Sequence, residues 1–158
     1  YSGNNLMKKQ NLIINQLQEK IDRYKELAEV SLPPKGWIYA IRTALKMSLK
    51  QLGKRMSITS QSVWEIEDRE KNGNITLNNL RQIGSALNMR FVYGFIPNHE
   101  SLNEIIASRA KDLATEIVQR ASVSMDLEDQ KPSEERIEKA IEEKTQELIE
   151  KLPRFLWD

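Results

Sequence analysis

The sequence predicts a mainly α-helical protein, and three observations predict it. Apolar residues recur at spacings of three and four along most of the 158 residues, which is the period of one helix face. Ser48, Thr59 and Thr76 stand just ahead of such runs, where a helix N-terminus needs a side-chain acceptor. Only residues 90–96 change period, and there one β-strand is expected. The expected architecture has three parts. Residues 1–32 form an N-terminal helix, residues 33–97 a five-helix module closed by the strand, and residues 98–158 a helical extension.

The first helix is expected over about residues 11–30. Leu12, Ile13, Leu17, Ile21, Tyr24 and Leu27 make one apolar stripe, and Pro33-Pro34 stops the helix. The stripe must pack either on the next segment or on a partner chain. Residues 1–6 read as an appended remnant ahead of a start at Met7. In the central part, Trp37, Ile38, Ile41, Ala44 and Leu45 have helical spacing. Ser48 caps a helix carrying Leu49, Leu52 and Met56, and Thr59 caps one carrying Val63 and Ile66. After the polar loop Lys71-Asn72-Gly73-Asn74, Thr76 caps a helix with Leu77, Leu80, Ile83 and Leu87.

Residues 90–96 (Arg-Phe-Val-Tyr-Gly-Phe-Ile) are aromatic and β-branched, and Pro97 ends them. A lone strand leaves its ladder groups unpaired. It pairs either with the same strand of a second copy, giving an isologous homodimer, or with a short segment of its own chain. The extension holds a helix over about residues 101–121, a polar stretch, and a last helix from Ser133. Phe155 and Trp157 are expected to dock rather than stand in water.

Charge separates the parts. Residues 33–97 hold ten Lys and Arg against four Asp and Glu, a net of +6, while residues 98–158 hold nine against fifteen, a net of −6. A basic middle and an acidic tail suggest two different partners. With no cysteine, disulfides and thiol chemistry are excluded. No apolar run is long enough for a membrane span and no secretory signal pattern is seen, so a cytoplasmic location is expected. The single histidine, His99, has no nearby acid or nucleophile. No glycine-rich phosphate loop and no paired-histidine metal motif occurs. Neither catalysis nor a cofactor or metal is expected.

The strongest signal is Gln51-Leu52-Gly53-Lys54-Arg55-Met56-Ser57-Ile58-Thr59-Ser60-Gln61-Ser62-Val63-Trp64-Glu65-Ile66-Glu67. Val63 and Ile66 share one face of the helix, with Gln61 and Glu65 roughly opposite. Ser60 and Gln61 fall in the first turn. The segment resembles the XRE/phage-repressor helix-turn-helix family at Ile58, Thr59, Val63, Ile66 and Glu67. Gly53 stands where alanine is usual there, and Ser57 where the turn glycine is usual.

The resemblance implies a repressor-like helix-turn-helix fold that binds double-stranded DNA, its second helix in the major groove. Ser60, Gln61, Trp64 and Glu65 are the expected base readers. Gln61 suits adenine and Glu65 suits cytosine N4, while Trp64 either meets a thymine methyl or shields the helix flank. Lys50, Lys54, Thr59, Ser62, Lys71, Asn72, Asn74 and Arg81 are the expected phosphate contacts. The family pairing of first-helix arginine with third-helix acid implies a structural ion pair between Arg42 and Glu67.

Nearly the whole chain from about Asn11 resembles the mobile mystery protein A family. The residues that carry this are Pro-Pro-Lys-Gly-Trp-Ile, the motif above, Gly-Asn-Ile-Thr-Leu-Asn-Asn-Leu-Arg, Val-Tyr-Gly-Phe-Ile-Pro, Ser-Met-Asp-Leu-Glu-Asp-Gln and Pro-Arg-Phe-Leu-Trp-Asp. Members are encoded beside a Fic-domain protein, so the resemblance implies an antitoxin partner of a Fic-type toxin that represses its own operon. An inhibitory helix of such antitoxins carries Ser or Thr and Glu four residues apart. Ser124 and Glu128 have that spacing here, with Asp129 where Gly or Asn is usual. The alternative is an interaction module that inhibits a Fic AMP-transferase without reading an operator.

Overall fold

Side-chain caps decide where several helices begin. Ser48 Oγ accepts from the Gln51 amide at 3.0 Å, and Gln51 Oε1 returns the favour to the Ser48 amide at 2.8 Å, a complete capping box. Thr59, Thr76 and Ser133 each accept from the amide three residues on. The computed structural model describes residues 2–98, 101–127 and 133–158. His99, Glu128 and Asp129 lie outside them.

The elements in chain order are α1 (Ser2–Tyr24), a 3₁₀ turn (Lys25–Glu29), α2 (Trp37–Ala44), α3 (Leu49–Met56), α4 (Ser60–Asn72), α5 (Leu77–Ala86), α6 (Leu102–Leu127), α7 (Glu134–Lys151) and a second 3₁₀ turn (Arg154–Trp157). The fold is mainly α, and no strand occurs among the described residues. Among those residues no helix is long and apolar enough to cross a membrane, and no group of three His, Asp or Glu could hold a metal ion.

Contacts divide the chain into two units, each with its own core. One is Glu26–Gly94. Leu52 and Val63 are wholly buried there, with Ile38, Ile83 and Leu87 beside them. Each such side chain contributes roughly 1.5–3 kcal/mol through burial. The other unit joins the residues up to Lys25 to those from Phe95 onward. Its core is Ile106, Ala110, Ala114, Leu148 and Leu156, with Ile14 of α1 packed against it. The two alanines, both at zero exposure, let α7 lie close on α6. Gln18 Oε1 of α1 accepts from the Leu102 amide at 2.8 Å, so α1 caps the start of α6. Part of the apolar stripe of α1 stays uncovered, with Leu12, Ile13 and Leu17 exposed.

Three expectations are corrected. The expected strand at residues 90–96 is absent: a strand is defined by its partner, and no described segment pairs with it. The backbone is nonetheless open, and Phe91 and Tyr93 stack on one side at 5.7 Å. Residues 33–97 hold four α-helices rather than five. After α5 the chain turns at Asn88, whose φ is +58°, and the β-branched, aromatic run up to Pro97 starts no further helix. At the other end of the sequence the buried anchor is Leu156, at zero exposure, while Phe155 and Trp157 are half exposed. Arg109 fixes that turn, donating from Nε to the Leu156 carbonyl at 2.5 Å and from Nη2 to the Asp158 carbonyl at 2.8 Å.

Candidate nucleic-acid interface

The α3–α4 corner is built on a serine in the left-handed region. Ser57 has φ +57° and ψ +39° and ends α3. The Ile58 amide bonds the Gly53 carbonyl at 2.9 Å, which closes the turn as a helix C-cap. Gly53 sits under it. A Cβ there would lie 2.6 Å from the Ile58 carbonyl oxygen and 3.2 Å from Thr59 C. Glycine at position 53 therefore answers a real contact: the corner leaves no room for a methyl group.

From that corner α4 projects two faces. Val63 and Glu67 are buried, Ile66 is partly buried, and Ser60, Gln61, Trp64 and Glu65 are exposed. Gln61 and Glu65 lie one turn apart, with Trp64 half exposed beside them. Lys50 and Lys54 on α3, Lys71 and Asn72 at the end of α4, Asn74 in the following loop and Arg81 on α5 are all exposed. Two of these are engaged within the unit. Asn72 donates to Asp68 Oδ2 at 3.3 Å, and the Arg81 guanidinium sits over the Tyr93 ring at 5.9 Å. Thr59 and Ser62 are bound to each other: Thr59 Oγ1 accepts from the Ser62 amide at 3.0 Å and donates to Ser62 Oγ at 2.9 Å. The threonine hydroxyl is thus occupied in capping, and the serine proton is the one left to give.

Arg42 and Glu67 form a buried bidentate pair. Nε donates to Oε2 at 2.7 Å and Nη2 to Oε1 at 2.9 Å, while Nη1 donates to the Met47 carbonyl at 2.9 Å. The Glu67 bonds push the guanidinium further above its already high pKa, against the opposing effect of burial. The pair ties α2 to the inner face of α4.

Four residues outside the sequence-derived set belong to this region. Lys46 and Arg55 join Gln51 and Lys54 around a shallow depression of about 620 Å³ beside α3. Their signal was plain charge within a basic segment. Glu70 and Gly36 form a second link between α4 and α2. The Trp37 amide donates to Glu70 Oε2 at 2.8 Å and the Ile38 amide to Oε1 at 2.9 Å. The only sequence signal was indirect: Gly36 precedes α2 and has no side chain to cap it. On the same unit an apolar groove of about 600 Å³ is lined by Leu32, Trp37, Leu80, Phe91 and Val92 among others. In the other unit Ser124 is exposed in the last turn of α6, and its expected companion Glu128 lies outside the described residues.

No family model matches the chain, and neither a curated protein nor a solved structure is significantly similar to it.

Proposed function

We propose that the unit Glu26–Gly94 is a sequence-reading double-stranded DNA-binding module of a transcriptional repressor. The observation that carries this is the outward face of α4. Ser60, Gln61, Trp64 and Glu65 stand exposed on its first turns, while Val63, Ile66 and Glu67 hold the opposite face against α2 and α3. An α-helix fits the major groove, where a glutamine amide matches adenine and a carboxylate accepts from cytosine. Lys50, Lys54, Lys71, Asn74 and Arg81, with Lys46 and Arg55 added, supply exposed cations and amides for phosphates. Glu65 gives nothing to affinity over a phosphate lattice, so its place is in discrimination.

The reading includes a homodimer, with a second copy as the occupant of the apolar groove. Phe91 and Val92 line the groove, and the same segment continues into exposed Tyr93 and Phe95, the latter 84% exposed. Hole and knob on one segment are self-complementary under a single two-fold axis. Phe95→Lys is then expected to shift sedimentation from dimer to monomer.

The decisive experiment is binding to the chain's own upstream DNA and to scrambled DNA across a salt series. Tight binding with a steep salt slope, and loss of preference in Gln61→Ala, support the reading. Equal affinity for both DNAs sinks it. The antitoxin role implied by the resemblance attaches to the other unit. There α7 carries seven acids against four bases, and inhibition of AMP transfer by a Fic-domain protein encoded beside this chain is the test.

A further inference from the structure

We infer that Glu70 is a positioning residue that fixes the orientation of α4 by serving as the N-cap of α2. The inference rests on α4 being the DNA-reading helix. A helix begins with amides that have no intrahelical partner. At α2 the local sequence supplies none, because Gly36 occupies the cap position and no cap side-chain bond is made there. The carboxylate comes instead from 33 residues away, with one oxygen on the Trp37 amide at 2.8 Å and the other on the Ile38 amide at 2.9 Å. A negative group at a helix N-terminus also matches the helix dipole.

Gly36 is fitted to this arrangement. Its φ is +91°, and a Cβ there would lie 2.8 Å from both Glu70 Cδ and Oε1. A side chain at position 36 would collide with the carboxylate that replaces it.

The consequence for α4 follows from the spacing of its acids. Glu67 and Glu70 are three residues apart and lie about 60° from each other around the helix. Both grip α2, Glu67 through Arg42 in the last turn and Glu70 at the first amides. With Val63 and Ile66 already packed in the core, the second grip at the other end of α2 limits the tilt of α4 that the single ion pair leaves open. Gln61 lies nine residues before Glu70, roughly 13 Å along the helix. Over that lever a tilt of about 4–5° moves Gln61 by about 1 Å, enough to spoil bidentate base contacts. Phosphate contacts by long lysines tolerate such a shift.

The test uses the full chain carrying Glu70→Gln and Glu70→Ala. Amide hydrogen exchange at Trp37 and Ile38 is measured, with residual dipolar couplings for the orientation of α4 against α2. Binding to the best sequence selected from a randomised duplex pool is compared with binding to scrambled duplex. In Glu70→Ala both amides are expected to exchange at least about tenfold faster. The couplings of α4 should change as a rigid body, and discrimination should fall about tenfold while scrambled-duplex affinity stays within about twofold. Glu70→Gln keeps one good acceptor, so it should rescue one amide and part of the discrimination. Unchanged exchange and unchanged couplings overturn the inference whatever the DNA does. Changed couplings with undiminished discrimination overturn the link to reading. If the couplings change but the unsubstituted protein selects no sequence from the pool, the clasp stands and the DNA-reading proposal falls.

Discussion

Replacing Gly53 by alanine sets two effects of known sign against each other. Alanine gains about 1 kcal/mol over glycine inside a helix, and Gly53 is well inside α3. The new methyl, however, would start 2.6 Å from the Ile58 carbonyl oxygen and must reach at least 3.0 Å, a move of 0.4 Å by backbone that has no rotamer to adjust. Overpacking costs about 1–3 kcal/mol, and a contact with backbone on both sides belongs in the upper half of that range, about 2–3 kcal/mol, so the clash wins and a net loss of about 1–2 kcal/mol is expected. The loss should depend on Ser57, whose left-handed φ of +57° holds the corner tight. Ser57→Gly alone should be close to neutral. It relieves strain of roughly 1 kcal/mol but adds unfolded-chain entropy of similar size. In the double variant a more pliable corner can move away, so the two changes should couple favourably by about 1 kcal/mol. Urea unfolding of the four proteins, followed by tryptophan fluorescence and by amide exchange in α3 and α4, measures the cycle. An alanine variant as stable as the parent would refute the reasoning, because propensity would then have won and the contact would not limit the corner.

Other outcomes follow from the same geometry. Arg42→Met leaves Glu67 buried without its partner and should cost about 3–5 kcal/mol in urea unfolding of the central unit, whereas exchanging both residues for apolar ones should cost far less. Leu156→Ala empties a wholly buried site and should cost about 2–5 kcal/mol in the other unit; a smaller loss would mean that the turn is not an anchor. Bonds first from Lys151 and then from Lys144 hold the Glu147 carboxyl below its ordinary value of 4.5. A lowered carboxyl stabilises the fold above that ordinary value and loses the effect as pH falls through the lowered one. Glu147→Gln should therefore melt earlier than the parent at pH 7 and together with it near pH 2, and a gap that persisted in acid would contradict the assignment.

What the sequence revealed depended on how local the cause was. Ser48, Thr59, Thr76 and Ser133 bind amides three residues away, so four helix starts could be read from the chain. The pairing of Arg42 with Glu67 spans 25 residues, and it came from resemblance to a known motif. The Glu70 cap has no such guide, and only the uncapped Gly36 hinted that a partner must exist. Gln18 at the start of α6 is the same case over 84 residues. Residues 90–96 misled for a related reason. Aromatic and β-branched content describes a willingness to pair, while a strand also needs something to pair with. For α1 the apolar stripe announced packing, but which helix it meets is a long-range fact.

The inner and outer faces of α4 share no residue: Val63, Glu67 and Glu70 grip, while Ser60, Gln61, Trp64 and Glu65 face outward. Substitutions on exposed positions away from packing usually change stability by less than about 0.5 kcal/mol. A lineage carrying this helix can therefore rewrite its outward residues one at a time, each intermediate still folded. Divergence of what the helix recognises is then limited by selection on the recognised target, and hardly at all by the integrity of the scaffold.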